Sequence, residues 1–333
     1  MNKVFLALLL GLVVNPAWSA DMEITPFRAV NQGPLVQIYG FPRDTGADIV
    51  ASGKTTVSLF EDITSNYTAH DNGNEQILLD GEAYRTVFAV RRGLGRGWEV
   101  GLELPLIVQG GGFLDSLIID WHKTFGLPQG GRDDAPKNRV SYRYAKDGVE
   151  KLRMENSGSG IGDLSLNVGF SLYERDGGES RDRVALKAAL KLPTGDASTL
   201  RGSGSTDLSL ALCGSMNNFT EWGSLGVFGS LGGMAATRGE VLVDQQNRLA
   251  GFGSAGIGWG PAEWISFKVQ LNVNSAMYRG SSLAQLSKTS LLLVSGGSLK
   301  LPGGYLIDIG VSEDVAVATA PDVSFHLGLG RSF

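Results

Sequence analysis

The residue types that most often do chemistry are few in this sequence and lie far apart. Its histidines are His70, His122 and His326, and its single cysteine is Cys213. None of them stands at metal-ligand spacing from the others or from a neighbouring carboxylate. The sequence also lacks a Gly-x-Ser-x-Gly turn and a phosphate-binding glycine loop. We therefore predict no catalytic, cofactor-binding or metal-binding residues, and we predict that the chain is not an enzyme.

Charged residues instead recur at alternate positions within apolar segments. Such alternation occurs in residues 98–106, 163–173, 184–192 and 265–273. A strand points successive side chains to opposite faces, so each segment has one apolar and one polar face. Segments of about 9–12 residues are long enough to cross a bilayer as tilted strands. Alternation alone would also suit a soluble β-sandwich with its polar face in water.

The lysines of these segments indicate which face meets lipid. A lysine that faces the bilayer midplane costs about 2–4 kcal/mol, so Lys187, Lys191 and Lys268 are expected to face the interior of a barrel. We predict that this polar interior is lined by eight charged residues. They are Glu99, Glu103, Asp163, Lys187, Lys191, Asp207, Lys268 and Lys300.

The lengths of the connections favour a membrane barrel over a sandwich. We predict about twelve strands, at 54–66, 83–92, 98–108, 161–173, 183–192, 206–216, 223–234, 248–259, 264–275, 288–300, 304–312 and 322–333. Their connections alternate between short and long, and 67–82 is one of the long ones. Outer-membrane barrels have tight periplasmic turns and longer extracellular loops. An even number of strands places both ends of the chain on the short-turn side.

The N-terminal residues have the three parts of a secretory signal peptide. Lys3 precedes an apolar run from Val4 to Val14, and small residues follow at Ala17, Ser19 and Ala20. The run is too short for a spanning helix, which needs about 20 residues. We predict a signal peptide at 1–20, a periplasmic lead-in segment at 21–53 and an outer-membrane barrel at 54–333.

The C-terminal strand carries a second export signal. Residues 323–333 alternate and end on Phe333, which resembles the signature read by the outer-membrane barrel assembly machinery. Arg331 departs from this signature, and near the interface a cation costs only about 0–1 kcal/mol. Trp98, Trp222 and Trp264 lie beside short turns, where they fit an aromatic girdle or an ordinary core.

The connection 109–160 breaks the alternating pattern. Its first part has apolar residues at helical spacing, which predicts a short amphipathic helix. These residues are Leu114, Leu117, Ile118, Trp121 and Phe125. The turn after them contains Arg132, Asp133 and Asp134, and residues 140–156 resemble a hairpin. The segment either constricts the barrel mouth as a lid or only caps the rim.

Two stretches resemble a family of uncharacterised bacterial outer-membrane proteins, catalogued as a domain of unknown function. They are Pro26 to Gly40 and Gly111 to Asp134. Glycine-rich turns at Gly160–Leu164 and Leu192–Asp196 are more distantly similar to the barrel family named after the phenol meta-cleavage pathway. The resemblance implies an outer-membrane barrel and a channel for small, often hydrophobic compounds.

These observations together predict an all-β transmembrane barrel in the cell outer membrane. The net charge of −5 argues against nucleic acid as a partner, because phosphate binding needs clustered basic residues. The predicted partners are outer-membrane lipid, the assembly machinery and a small solute. The leading function is a passive channel or transporter. The alternatives are a non-conducting structural or binding barrel and, less favoured, a lipid-modifying enzyme.

Overall fold

A computed structural model of the chain describes residues 22–43, 45–126, 131–315 and 319–333. The predicted signal peptide lies outside these residues. The strands are β1 Thr55–Asp71, β2 Glu75–Gly95, β3 Trp98–Gly110, β4 Ser141–Lys146, β5 Val149–Met154, β6 Gly158–Ile161, β7 Leu164–Asp176, β8 Ser180–Leu192, β9 Asp207–Thr220, β10 Gly223–Ala236, β11 Leu249–Ala262, β12 Ile265–Asn274, β13 Ser290–Leu301, β14 Tyr305–Asp314 and β15 Val323–Ser332. The helices are α1 Leu114–Phe125 and α2 Ala284–Ser287.

Twelve of these strands close into an antiparallel ring, which confirms the predicted barrel. The ring runs from β1 through β2 and β3 to β7, continues in sequence to β15, and closes where β15 pairs with β1. Closure leaves the ring itself without an open edge, as a sheet in lipid requires. The three strands outside the ring extend its rim. The hairpin of β4 and β5 pairs with the first residues of β2, and β6 pairs with the last residues of β3.

The two faces of the ring differ in polarity. Leu210 and Leu212 of β9 point outward and are each 51% exposed, whereas Lys268 of β12 points inward and is 2% exposed. Trp222 and Trp264 are also exposed, at the short-turn end of the ring. A closed barrel with an apolar outer band is an architecture that spans a bilayer. The outer band therefore faces lipid.

The connections sort by length to the two ends of the ring, with one exception. Turns of two or three residues join β2 to β3, β7 to β8 and β9 to β10, whereas the connection between β3 and β6 is the longest. The exception is the segment 67–82, which was predicted to be a long loop. In the structure β1 and β2 continue through it as a hairpin, and their last paired residues are Asp71 and Gln76. Above the membrane the outer face need not be apolar, and Ile77, Asp80 and Glu82 of β2 are all buried, so apolar and polar residues no longer alternate there.

The predicted helix in the connection 109–160 is present as α1. The predicted hairpin forms as β4 and β5, and its turn residues Asp147 and Gly148 both have positive φ, at 52° and 73°. That backbone conformation is the one a two-residue hairpin turn needs. Within the described residues, no helix is long and apolar enough to cross a membrane.

A charge placed on the outer face near the middle of β9 is expected to destabilise the barrel strongly. Leu212→Lys should lower the free energy of unfolding by about 2–4 kcal/mol, because it puts a cation in hydrocarbon. Leu249→Lys is the matched control, since Leu249 lies at the extracellular end of β11 and should lose only about 0–1 kcal/mol. Denaturant unfolding from lipid vesicles measures both. Equal small losses would show that this face does not contact lipid.

Candidate functional site in the filled interior

The described part of residues 22–50 lies inside the ring, and we call it the plug. Its first half runs from the short-turn end of the ring towards the other end. The Ile24 amide donates to Asn217 Oδ1 on β9 at 2.8 Å, and the Phe27 amide donates to Gln270 Oε1 on β12 at 2.7 Å. Asn31 Nδ2 then donates to a residue at the extracellular start of β13, Ser290. This position corrects the periplasmic lead-in segment predicted for 21–53.

The second half of the plug returns to the end where it began. The chain turns at 34–38, and the Gly40 amide then donates to Asp207 Oδ2 on β9 at 2.8 Å. Further along, the Val50 amide donates to Glu99 Oε2 on β3 at 2.8 Å. Ser52 pairs with Gly93 before β1 begins. The lumen therefore holds two passes of the chain, which enter and leave at the periplasmic end.

Glycines in the wall make room for the apolar side chains of the plug. Ile24 is fully buried, and it lies against the inward faces of Gly226 and Gly258. A Cβ on Gly226 would lie 2.4 Å from the Ile24 Cβ, and one on Gly258 would lie 2.6 Å from Ile24 Cγ2. Phe27 lies in the same way against Gly310. Burial of Ile24 and Phe27 is the physical reason why the segment stays inside the ring rather than in water.

An apolar cluster closes the extracellular end of the plug. Leu35, Ile38 and Tyr39 of the plug are buried with Tyr278 and Leu283, which belong to the connection between β12 and β13. The rings of Tyr39 and Tyr278 meet edge to face at 6.0 Å, and the Tyr278 hydroxyl donates to the Leu35 carbonyl at 3.0 Å. Burial raises the pKa of both phenols above the ordinary value, so both remain neutral.

Ion pairs join the plug to the wall at several levels, one of them between Glu23 and the β8 residues Arg181 and Arg183. Arg43 Nη1 lies 2.5 Å from Asp62 Oδ2 on β1, and the Arg28 guanidinium contacts the Glu103 carboxylate on β3. Nearer the periplasmic end, Asp48 Oδ2 lies 3.0 Å from Arg91 Nη1 on β2. Arg43 and Asp62 have side chains only 6% and 4% exposed, so separating them would leave two buried charges unpaired.

The carboxylate of Asp62 continues into a hydrogen-bonded chain that the sequence did not reveal. His326 Nδ1 lies 2.7 Å from Asp62 Oδ1, and His326 Nε2 lies 2.8 Å from Ser312 Oγ. The order of groups is that of a Ser–His–Asp triad. Arg43 already neutralises the Asp62 carboxylate, and Ser312 is only 2% exposed. The chain thus satisfies buried polar groups at the point where the plug meets the wall.

Seven of the eight predicted lumen-lining residues are buried within the ring, and Lys300 is half-buried. Their charges are largely paired with one another. Lys191 Nζ lies 2.5 Å from Asp163 Oδ2 and 3.3 Å from Asp207 Oδ2, while Lys187 Nζ lies 3.6 Å from Glu99 Oε1. Lys268 Nζ lies 2.8 Å from Asp308 Oδ1 and 4.1 Å from the centre of the Phe27 ring. These side chains contact the plug and each other rather than an open channel.

The predicted lid residues are divided between the rim and solvent. Leu114 and Ile118 are each 4% exposed, whereas Leu117 is exposed, as are Asp133 and Asp134. The side chains of Trp121 and Phe125 lie outside the described residues. Arg132 is buried and binds three groups: Asp115 Oδ1 at 2.6 Å, Asp322 Oδ2 at 2.6 Å and Ser65 Oγ at 2.9 Å. Arg132 therefore ties α1 to the rim at β1 and to the connection before β15.

Arg132→Ala is expected to release α1 from the rim without unfolding the barrel. Loss of one partner from a buried ion pair costs about 3–5 kcal/mol. Here that loss should weaken the packing of residues 111–140 on the rim. Limited proteolysis should cut this segment faster in the variant, while the heat-modifiable mobility of the barrel is unchanged. Arg153→Ala removes an exposed arginine of β5 and should leave cleavage as in the parent chain. Equal cleavage of all three proteins would contradict the role of Arg132.

Within the described residues, no cluster of His, Cys, Asp and Glu could hold a metal ion.

Comparison with known proteins agrees with the fold. The sequence model of a family described as "Protein of unknown function (DUF3187)" matches residues 4–333. The search of curated protein sequences finds no match.

Among solved structures, the chain is similar to the COG4313 outer membrane channel from Pseudomonas putida F1. The TM-score is 0.57 at 14% identity, over 86% of this chain and 98% of that one. LpxR from Salmonella typhimurium gives a TM-score of 0.41 at 10% identity, over 82% of this chain and 99% of that one. The first likeness shows that the fold is that of an outer-membrane β-barrel.

Proposed function

Because this chain belongs to the DUF3187 family, whose description assigns no activity, we propose its function from the structure: a gated outer-membrane channel for small solutes. In this proposal the plug is the gate. The closed state is the one described above. The open state forms when the plug leaves the lumen of the ring.

The main support for this proposal is that a separate segment of the chain, the plug, fills the lumen. Side chains alone fill a barrel of about eight strands, and a wider ring leaves space. In this twelve-stranded ring the space is occupied by a separate chain segment that enters and leaves at one end. Such a segment can withdraw without breaking any hydrogen bond between wall strands. A wall lined by Lys187, Lys191 and Asp207 would then face water.

The class of solute follows from the size and lining of the space that remains. A cavity of about 270 Å³ lies at the periplasmic end, between the plug and strands β1, β2, β14 and β15. Phe60, Arg91 and Asp308 are among its lining residues, so it offers apolar contact and both signs of charge. We propose small molecules as solutes. The resemblance to the phenol meta-cleavage barrel family favours hydrophobic ones among them.

A non-conducting structural or binding barrel is the second candidate. It is favoured by the buried Arg43–Asp62 pair, which holds the plug in place firmly. We propose that the chain is not a lipid-modifying enzyme, because Ser312, His326 and Asp62 point into the ring and lipid lies outside it.

Single-channel recording from the refolded full chain in planar bilayers tests the channel. We expect a closed baseline interrupted by brief openings of one unit size, since the plug must leave before ions pass. A full chain and a plug-deleted chain that are both folded and both silent would favour the non-conducting barrel.

We also propose that the assembly machinery recognises the C-terminal strand through Phe333, which is 58% exposed. Arg331 departs from the usual apolar residue of such signatures. Its guanidinium lies over the rings of Tyr305 and Phe333, at 4.8 Å and 4.7 Å from their centres, and these contacts stabilise the cation there. Phe333→Ala should reduce the amount of folded barrel in the outer membrane, measured by heat-modifiable mobility. An unchanged amount would remove Phe333 from the recognition signal.

A further inference from the structure

A small polar cavity lies between the plug and the wall of the barrel. Its volume is about 30 Å³, which is room for one or two water-sized particles. The plug contributes Gln37 and Arg43 to its lining, and the wall contributes Arg85 and Asn167. Arg201, from the connection between β8 and β9, completes the polar side.

Several side chains that line this cavity carry a nitrogen with no hydrogen-bond partner in the part of the chain that the structure describes. These nitrogens are Gln37 Nε2, Arg43 Nη2, Arg85 Nε and Arg201 Nε. Gln37 is 5% exposed and Arg43 is 7% exposed, so bulk water does not reach them. Buried N–H groups are almost always satisfied, because an unmade hydrogen bond in the interior is costly. The unpaired donors therefore indicate an acceptor within the cavity.

The charge around the cavity indicates that this acceptor is an anion. Four cations line it, Arg43, Arg85, Lys191 and Arg201, against two carboxylates, Glu103 and Asp163. Both carboxylates are already paired, Glu103 with Arg28 and Asp163 with Lys191. Arg43 is paired with Asp62.

Arg85 and Arg201, in contrast, have no carboxylate within ion-pair distance among the described residues. Arg85 Nη1 donates only to the Gln37 carbonyl, at 3.2 Å. Arg85 and Arg201 are half-buried, and a positive charge in the barrel interior without a counter-charge is unfavourable where the dielectric constant is low. An anion in the cavity would supply that counter-charge.

We propose that the cavity binds one monatomic anion of the size of chloride, held by Arg85, Arg43 and Gln37. The space holds one or two water-sized particles, and a chloride ion is of that size. A water beside the anion would donate to Gln37 Oε1, which is also unpartnered in the described chain. Because Arg43 and Gln37 belong to the plug and Arg85 to the wall, the anion bridges the two and stabilises the closed state.

Bromide is the probe, because it scatters anomalously and substitutes for chloride. Crystals of the full chain grown in bromide should show an anomalous peak in this cavity. The thermal midpoint of unfolding in detergent should rise with bromide concentration when gluconate keeps the ionic strength constant. Only ordered water in the cavity, or a midpoint that does not depend on the anion, would overturn the proposal. Neither the anomalous peak nor the thermal midpoint depends on conduction. The anion site can therefore fail while the channel proposal holds, and the reverse.

Two variants assign the effect to this site. Arg85→Gln should abolish the bromide dependence of the midpoint, and Gln37→Leu should weaken it. Arg92→Gln is the matched control, since Arg92 belongs to the same strand, is exposed and points away from the cavity. It should keep the full dependence. Should Arg85→Gln fail to fold, Gln37→Leu decides the matter, and an undiminished bromide response in that variant overturns the site.

Discussion

Deletion of residues 22–50 is expected to convert the closed barrel into a pore that stays open. The ring closes through β1 and β15, and none of the ladder bonds of the ring involves the deleted residues. Deletion removes both passes of the chain from the lumen, so single-channel recordings should show a steady conductance. The deletion stops at residue 50 because Ser52 pairs with Gly93 and helps to start β1.

A replacement of residues 22–50 by a glycine–serine linker of equal length is the control for this deletion. The linker restores the length of chain but none of the contacts made by Ile24, Phe27 and Arg43. It should therefore conduct almost as well as the deletion. A deleted barrel that is folded, as judged by heat-modifiable mobility, and as closed as the full chain would contradict the role of the plug.

Reversal of the charge at Arg43 is expected to release the plug in the full-length chain. Arg43→Glu replaces a buried ion pair with two carboxylates facing each other, and loss of such a pair costs about 3–5 kcal/mol. Since about 1.4 kcal/mol changes an equilibrium constant tenfold, the ratio of open to closed states should rise by a factor on the order of 10²–10³. The open probability in planar bilayers measures this ratio.

The reciprocal change tests whether the effect belongs to the pair. Arg43→Glu combined with Asp62→Arg restores opposite charges at the same place, so the double variant should return towards the closed baseline. Arg238→Glu reverses an exposed arginine at the extracellular rim and should leave the open probability unchanged. If the single and double variants conduct equally, the Arg43–Asp62 pair does not hold the gate.

The barrel was predictable from the sequence because lipid and a polar interior impose opposite demands on alternate residues. Lys187, Lys191 and Lys268 are all buried inside the ring, and exposed and buried residues alternate along most of β12 around Lys268. The rim was less predictable, because the outer face of the β1–β2 hairpin need not be apolar above the membrane, and Ile77, Asp80 and Glu82 are buried without an alternating pattern. Residues 67–82 were consequently assigned to a loop although their backbone continues the ladder.

The plug was not predictable from periodicity, because its contacts follow the inner surface of the ring rather than a repeat. Phe27 binds Gln270, and Val50 binds Glu99, so partners lie far away and at irregular intervals in the sequence. Two features could have indicated it. Ile24 and Phe27 are apolar residues with no strand around them, and Gly226 and Gly258 are inward glycines with no turn to explain them.

Photo-crosslinking from position 27 tests the position of the plug most directly. A photoreactive phenylalanine derivative in place of Phe27 would lie beside Lys268 and Gly310 in the closed barrel. Illumination of cells that carry this protein should join residue 27 to peptides of β12 or β14 within the same chain, identified by mass spectrometry. Crosslinks only to other periplasmic proteins, from a barrel that is folded, would place the segment outside the ring and contradict the account.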